Sequence, residues 1–256
     1  IHAIETGLSC YDEKTDVLTG DGWKKFSDVT YSDNICTLNV STNEIEFQKP
    51  TKVYKYKYTG KMYTLKTKRV DLFVTPNHNL LYAPCDFRDR KPYSLSTAQS
   101  LYGKSKILKK DANWNGEEFQ YFILPSVKIK HGSKYYSGLR TKPAKQLPLI
   151  LWLKFFGFWL AEGWTTNGKD GDYNICVSNS NHFLLDEMSN LLRKFGYKPY
   201  QNNKIVRVRD YQLYHHLKRF GKASEKFIPL EVKVLSKELL EVFFKYYIKG
   251  DGHVYG

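Results

Sequence analysis

The sequence is poor in the residues that staple or metallate small folds. It has four cysteines in 256 residues, at positions 10, 36, 85 and 176, and no Cys-x-x-Cys pair. A zinc knuckle needs closely spaced thiolates and a disulfide scaffold needs paired half-cystines, so neither is expected, and the thiols suit a reducing interior. Arginine is scarce, 8 residues against 32 lysines, so the positive charge favours phosphate attraction over the bidentate base reading that a guanidinium does best. The longest apolar run, Leu147 to Ala161, contains Lys154 and stops at Glu162. It is shorter than the roughly 20 residues of a bilayer span, so a buried helix and no membrane partner are expected. No secretory signal opens the chain, which starts at Ile1 without a Met, so a segment excised from a longer intracellular protein with access to DNA is expected.

What the sequence does have is charge. Forty Lys and Arg against 26 Asp and Glu leave a net +14 and a pI near 9.4. So large a field points to a polyanionic partner, nucleic acid before membrane. At this length, with 41% hydrophobic residues, one or two real cores can form, which excludes a disordered tail.

Periodicity predicts an α+β chain in three stretches. From Cys10 to about 105, short apolar alternation is broken by turns (Asp16 to Thr19, Gly20-Asp21-Gly22, Lys52 to Tyr58, Lys61 to Lys66, Leu72 to Val74), which reads as an all-β unit over 10–125. Residues 126–147 carry Lys128, Lys130, Lys134, Arg140, Lys142 and Lys145 with no acidic residue, a basic linker or a DNA-contacting arm. From Pro148 the spacing becomes helical, then a polar turn at 167–172 and alternation in Tyr173 to Ser178 predict a hairpin. Phe183 to Phe195 has helical spacing and stops at Gly196, Lys204 to Arg209 alternates, and Leu213, Leu217 and Phe220 stop at Gly221. A last helix opens at Ser236. The predicted order over 148–256 is α-β-β-α-β-β-α, then the start of a second copy.

Two segments of this region align without gaps: Phe155-Phe156-Gly157-Phe158-Trp159-Leu160-Ala161-Glu162-Gly163 and Phe244-Lys245-Tyr246-Tyr247-Ile248-Lys249-Gly250-Asp251-Gly252. Each is an apolar helix ending in carboxylate-glycine. Small residues four apart allow two such helices to approach closely, which would bring Glu162 and Asp251 together. Paired carboxylates repel unless a hard divalent cation intervenes, and Mg2+ prefers such oxygen ligands beside phosphate. A metal-bound water attacking phosphorus is phosphodiester hydrolysis.

The pair resembles the two LAGLIDADG motifs of a homing endonuclease. The resemblance implies that the motif helices join two pseudo-symmetric halves and that Glu162 and Asp251 are catalytic metal ligands. It also implies that the strands after each motif form a saddle on a long double-stranded DNA site, with Tyr173, Asn174, Cys176, Ser178, Lys204, Arg207 and Arg209 as DNA-facing candidates. A monomer is implied for the full-length protein. Tyr246 stands where the family has a small residue, a departure that bears on how closely the helices approach. The chain stops four residues past the second motif, so the second half of such an enzyme is expected to be missing.

The first stretch is similar to something else. Cys10-Tyr11-Asp12-Glu13-Lys14-Thr15-Asp16-Val17-Leu18-Thr19 followed by Gly22-Trp23 resembles the N-terminal splicing block of inteins, the Hint fold. Phe73-Val74-Thr75-Pro76-Asn77-His78-Asn79-Leu80-Leu81 resembles their second block. The chemistry implied is attack of the Cys10 thiol on the carbonyl of Ser9, with Thr75 and His78 polarising and protonating the scissile amide. Residues 1–9 are then expected to be a remnant of the host protein, a partner in cis. The C-terminal Asn of the closing steps cannot be assigned, so complete splicing by these residues alone is not predicted.

Three readings follow: a bifunctional intein with a metal-dependent nuclease, a DNA-binding module with an inactive nuclease, and a Hint autoprocessing domain that cleaves without splicing.

Overall fold

The computed structural model describes residues 9–85, 92–133, 136–168 and 172–251, with the backbone alone at 130–133, 136–137 and 251. The chain divides into two compact units, Ile1–Asn115 and Gly116–Gly256. It is an α+β protein.

In the first unit, β1 (Asp16–Thr19), β2 (Gly22–Lys25), β3 (Ile35–Asn39) and β4 (Glu44–Gln48) form an antiparallel sheet in the order β2-β1-β3-β4. β5 (Tyr63–Lys66) pairs with β6 (Asp71–Val74). β7 (Asn79–Pro84) lies between β8 (Ser94–Thr97) and β9 (Lys106–Leu108), with the short α1 (Ala98–Leu101) after β8. Among the described residues of this unit the regular elements are strands apart from α1 and a 3-10 turn at Phe26–Asp28, as the all-β reading expected.

Lys52 to Tyr58 corrects the predicted strand, since it joins no ladder. Side chains hold it instead: the Val53 N–H donates to the Tyr31 hydroxyl at 3.4 Å, Lys55 Nζ donates to the Ser27 carbonyl at 2.5 Å, and Tyr56 meets Cys10. Alternation at Tyr56 and Tyr58, both half-buried between exposed neighbours, is a pattern that a strand and an anchored extended segment share.

The second unit opens with two nested hairpins. β10 (Tyr121–Leu124) pairs with β13 (Lys145–Pro148), and between them β11 (Val127–Ser133) pairs with β12 (Tyr136–Lys142). The stretch read as a linker or arm is therefore mostly a two-stranded ribbon, and the unit that contains it begins at Gly116, before the expected boundary at 125.

There follow α2 (Leu149–Glu162), β14 (Gly163–Asn167), β15 (Tyr173–Ser178), α3 (His182–Lys194), β16 (Tyr200–Gln201), β17 (Ile205–Arg209), α4 (Tyr211–Lys218), α5 (Leu230–Lys233) and α6 (Lys237–Asp251). This is the predicted order with one added helical turn, α5. Asn181 and Asp210 cap α3 and α4 by accepting from the N–H groups of Phe183 and Leu213. Gly196 closes α3 at φ +81°, a conformation that glycine adopts without penalty.

The antiparallel sheet runs β14-β15-β17-β16. Ile175, Val177, Val206 and Val208 fill one face and join the core with α2, α3, α4 and α6. Helix α2 is apolar on nearly every side because it is enclosed. Leu153, Phe155, Phe158 and Trp159 are each fully buried, and each such side chain contributes about 1.5–3 kcal/mol.

Candidate functional site

Helices α2 and α6 pack along a seam of small residues. A Cβ on Gly157 would stand 2.5 Å from the Phe243 carbonyl oxygen, and one on Gly250 would stand 2.6 Å from Ala161 Cβ and 3.0 Å from Glu162 Cγ. The backbones therefore approach as closely as glycine allows. Tyr246 does not widen the seam. It turns toward α3, where its buried hydroxyl donates to Glu187. That bond and burial push the Tyr246 phenol pKa up, keeping it protonated.

Glu162 ends α2, with its side-chain Cγ beside Gly250 of α6. Its carboxylate accepts from Asn179 Nδ2 at 3.2 Å. The Asp251 backbone closes α6 next to Gly250, but its side chain lies outside the described residues. Among the described residues no cluster of three or more His, Cys, Asp or Glu could hold a metal. The oxygen ligand fixed here is the Glu162 carboxylate, a hard donor of the kind Mg2+ takes; Asn179 turns its nitrogen to that carboxylate while its oxygen accepts from the Asn181 N–H.

Lys226 was not singled out from the sequence. Its Nζ donates to the carbonyls of Trp159, Leu160 and Gly163 at 3.1, 3.0 and 2.6 Å. It thereby places a cation on the negative end of α2. It also lines a cleft of about 280 Å3 with Leu160, Ala161, Ala223, Phe227, Ile228 and Tyr247. A lone lysine between helices carries no periodic signal; only its three-dimensional contact marks it.

The sheet separates the predicted DNA-facing residues. Cross-strand register pairs Asn174 with Arg209, Cys176 with Arg207 and Ser178 with Ile205, so these share one face, opposite the core valines. Trp164 and Thr166 extend that face from β14, and Tyr200 from β16. Arg207 lies over the Tyr200 ring at 5.2 Å, and Arg209 pairs with Asp172 at 3.2 Å. Asn174 and Cys176 are buried within this face; Asn174 donates to the Asp172 carbonyl, and burial pushes the Cys176 thiol up despite Arg207. Tyr173 is on the opposite, core face, its ring 4.6 Å from Tyr211 and 5.1 Å from Tyr214. Strand parity with Ile175 and Val177 puts it there. Lys204 is exposed in the turn before β17, where the Asn202 side chain accepts from its N–H.

In the first unit the structure gathers Cys10, Thr75 and His78. The Cys10 N–H donates to Thr75 Oγ1 at 2.9 Å, and the Thr75 N–H donates to the Cys10 carbonyl at 3.0 Å. Ser9 Oγ lies 3.3 Å from His78 Nδ1. Burial lowers the His78 pKa from 6.5 to about 4, so its ring is neutral at physiological pH. The Cys10 sulfur is 2.9 Å from the Tyr56 hydroxyl, a contact unread in the sequence. Burial and this contact push the Tyr56 pKa up, so the phenol remains a donor. Residues 1–8, the rest of the expected host remnant, lie outside the described residues.

Residues 153–246 match the LAGLIDADG-like domain. The matched stretch runs from within α2 to within α6, takes in the sheet face, and stops before Gly250 and Asp251. Two curated relatives align over nearly the whole chain. One, an ATP-dependent Clp protease proteolytic subunit of Chlamydomonas moewusii, is 33% identical over 251 residues, covering 94% of this chain and 25% of the relative. The other, the C-terminal section of DNA-directed RNA polymerase subunit beta of Stigeoclonium helveticum, is 29% identical over 261 residues, 94% of this chain and 23% of the relative. The chain thus spans about a quarter of the curated relatives it matches. A solved class 3 split intein, in a splice-inactive variant, aligns with 64% of this chain and 95% of its own at 14% identity, with a TM-score of 0.27. Among the described residues, no helix is long and apolar enough to cross a membrane.

Proposed function

We propose that this chain is part of an intein that joins a splicing-type, thioester-forming domain to a site-specific, Mg2+-dependent homing endonuclease. The observation that carries the nuclease half is the α2–α6 seam, where Gly250 lies against Ala161 and Glu162, next to the residues that match a LAGLIDADG-like domain. One chain supplies both motif helices, so a monomer can build the site, with Glu162 and Asp251 holding the cation. The cation when bound would supply Lewis-acid activation of a phosphodiester. Lys226 fixes the end of α2, Asn179 orients the Glu162 carboxylate, and the face bearing Ser178, Arg207, Arg209 and the nearby Lys204 binds double-stranded DNA through phosphate contacts.

The relatives support an insert. A similar segment lies within a protease subunit and an RNA polymerase subunit, about a quarter of each. Two proteins with unrelated names would share such a segment if it moves between host genes and leaves the host protein by splicing. Cys10 Sγ attacks the Ser9 carbonyl carbon, the C–N bond to Cys10 breaks, and the thiol proton passes to the released amine, giving a thioester. The scissile N–H already donates to Thr75, whose hydroxyl therefore stands at the nitrogen that must gain the proton.

Two experiments test the halves separately. With Mg2+, the full-length protein is expected to cut the host gene from which its own coding segment has been deleted, and Glu162→Gln to bind that DNA without cutting it. Equal cutting by Glu162→Gln, or none by wild type, sinks the nuclease; binding without cutting by wild type leaves the DNA-binding module. Mass measurement after thiol treatment is expected to show loss of residues 1–9 in wild type and not in Cys10→Ala.

A further inference from the structure

The ribbon β11–β12 has a composition that its own fold does not explain. Residues 126–147 contain six Lys and Arg and no Asp or Glu. Antiparallel register sets Lys128 opposite Thr141, Ile129 opposite Arg140 and Val127 opposite Lys142. This register sets no cation opposite another and puts Lys128 on one face of the ribbon and Arg140 on the other, and an isolated two-stranded ribbon is marginal in water. Lys128, Leu139, Arg140 and Thr141 are nonetheless exposed. A cationic, exposed surface of this kind attracts a polyanion.

The base of the ribbon is held tightly and in a particular place. Gln212, fully buried, donates from Nε2 to the carbonyls of Pro125 and Pro143, both at 2.8 Å, one at each foot. Lys142 pairs with Asp210, and the Tyr211 hydroxyl reaches the Lys128 carbonyl at 3.5 Å. Residues 210–212 directly follow Arg209, the end of β17, and the Asp210 N–H donates to the Tyr173 carbonyl at the start of β15. The ribbon is therefore rooted at the Asn174–Arg209 end of the sheet.

We infer that β11–β12 is a second DNA-contacting arm, which reaches double-stranded DNA beyond the footprint of the sheet, with Lys128 on one face and Arg140 on the other as phosphate contacts on either side of the ribbon and Gln212 as the residue that fixes its root. This rests on the nuclease reading of the sheet. It implies that the arm adds affinity with little sequence preference, since phosphate contacts carry no base information.

The test uses the full chain and a mixed-sequence duplex of about 40 base pairs, titrated by fluorescence anisotropy across salt concentrations. Lys128→Gln with Arg140→Gln is compared with Arg193→Gln and Lys194→Gln, which removes the same charge from the end of α3. The arm variant is expected to reduce the slope of log K against log salt by about 1.8, two phosphate contacts' worth, and to weaken binding on the order of tenfold at low salt. The α3 variant is expected to change the slope far less, and both are expected to keep the wild-type melting temperature. Equal effects from the two variants, or wild-type binding by the arm variant, overturn the arm and leave the nuclease reading intact. A wild-type protein that does not bind the duplex overturns both.

Discussion

A side-chain carbon on Gly157 would sit 2.5 Å from the carbonyl oxygen of Phe243, so these two residues set the separation of α2 and α6. On a free helix surface, alanine in place of glycine would stabilise by up to about 1 kcal/mol. Here the added methyl meets backbone, which cannot rotate away, so the sign reverses. Gly157→Ala is expected to lower the unfolding free energy of the second unit by about 1–3 kcal/mol in urea titration. An unchanged or higher midpoint would show that the helices are not locked at this point.

Acid should weaken the second unit through His216. Its ring is buried edge-on to Phe122, Trp152 and Phe220. Burial first and Arg219 second lower its pKa from 6.5 to about 3. The unfolded chain therefore binds a proton between these values that the folded chain refuses. Stability from the neutral ring is complete above pH 6.5 and is lost progressively as pH falls toward 3, on the order of 3 kcal/mol. The urea midpoint plotted against pH is expected to fall over this window, and to fall less in His216→Phe. Identical slopes in the two proteins would remove His216 as the cause.

Tyr56 is expected to assist Cys10. A phenol kept protonated 2.9 Å from the sulfur can donate to the thiolate as it attacks. Tyr56→Phe keeps the ring and removes that donor, so thiol-induced cleavage at Ser9–Cys10 should slow by roughly tenfold at neutral pH while the melting temperature holds. A wild-type rate, followed by mass spectrometry, would reduce the contact to packing.

Much of this was legible because local pattern and tertiary role coincide. The apolar run ending at Glu162-Gly163 could only be an enclosed helix, and Gly196 and Gly221 stop helices wherever they pack. Thr75 and His78 stand near Cys10 because β6 and the turn after it carry both. Tyr173 was misplaced although the signal was present: parity with Ile175 and Val177 assigns it to the core. The ribbon was hidden by its charge, since alternation of Val127 and Ile129 with Lys128 and Lys130 reads as a solvated run until the register with Leu139 to Lys142 is known. Lys226 and Gln212 left no trace in the sequence. Each is a single polar residue whose partners are backbone carbonyls far away along the chain.

Lys226 offers the sharpest test of how the end of α2 is held. Its ammonium donates to three carbonyls at that terminus, of which Trp159's also accepts from the Gly163 N–H, and lies 4.7 Å from the Trp159 ring centre. Lys226→Met keeps most of the stem and removes the donors. Half-buried carbonyls that lose this donor should cost about 1–3 kcal/mol of unfolding free energy. Glu162 is the last residue of that helix, so a terminus that frays also moves its carboxylate away from Asn179. Well below the melting temperature, Lys226→Met is therefore expected to retain DNA affinity and lose DNA cleavage, whereas Lys226→Arg, with its charge kept but its planar fork unable to reach three carbonyls at once, should fall between. Cleavage by Lys226→Met at the wild-type rate would separate the cap from the chemistry and leave it a purely structural bond.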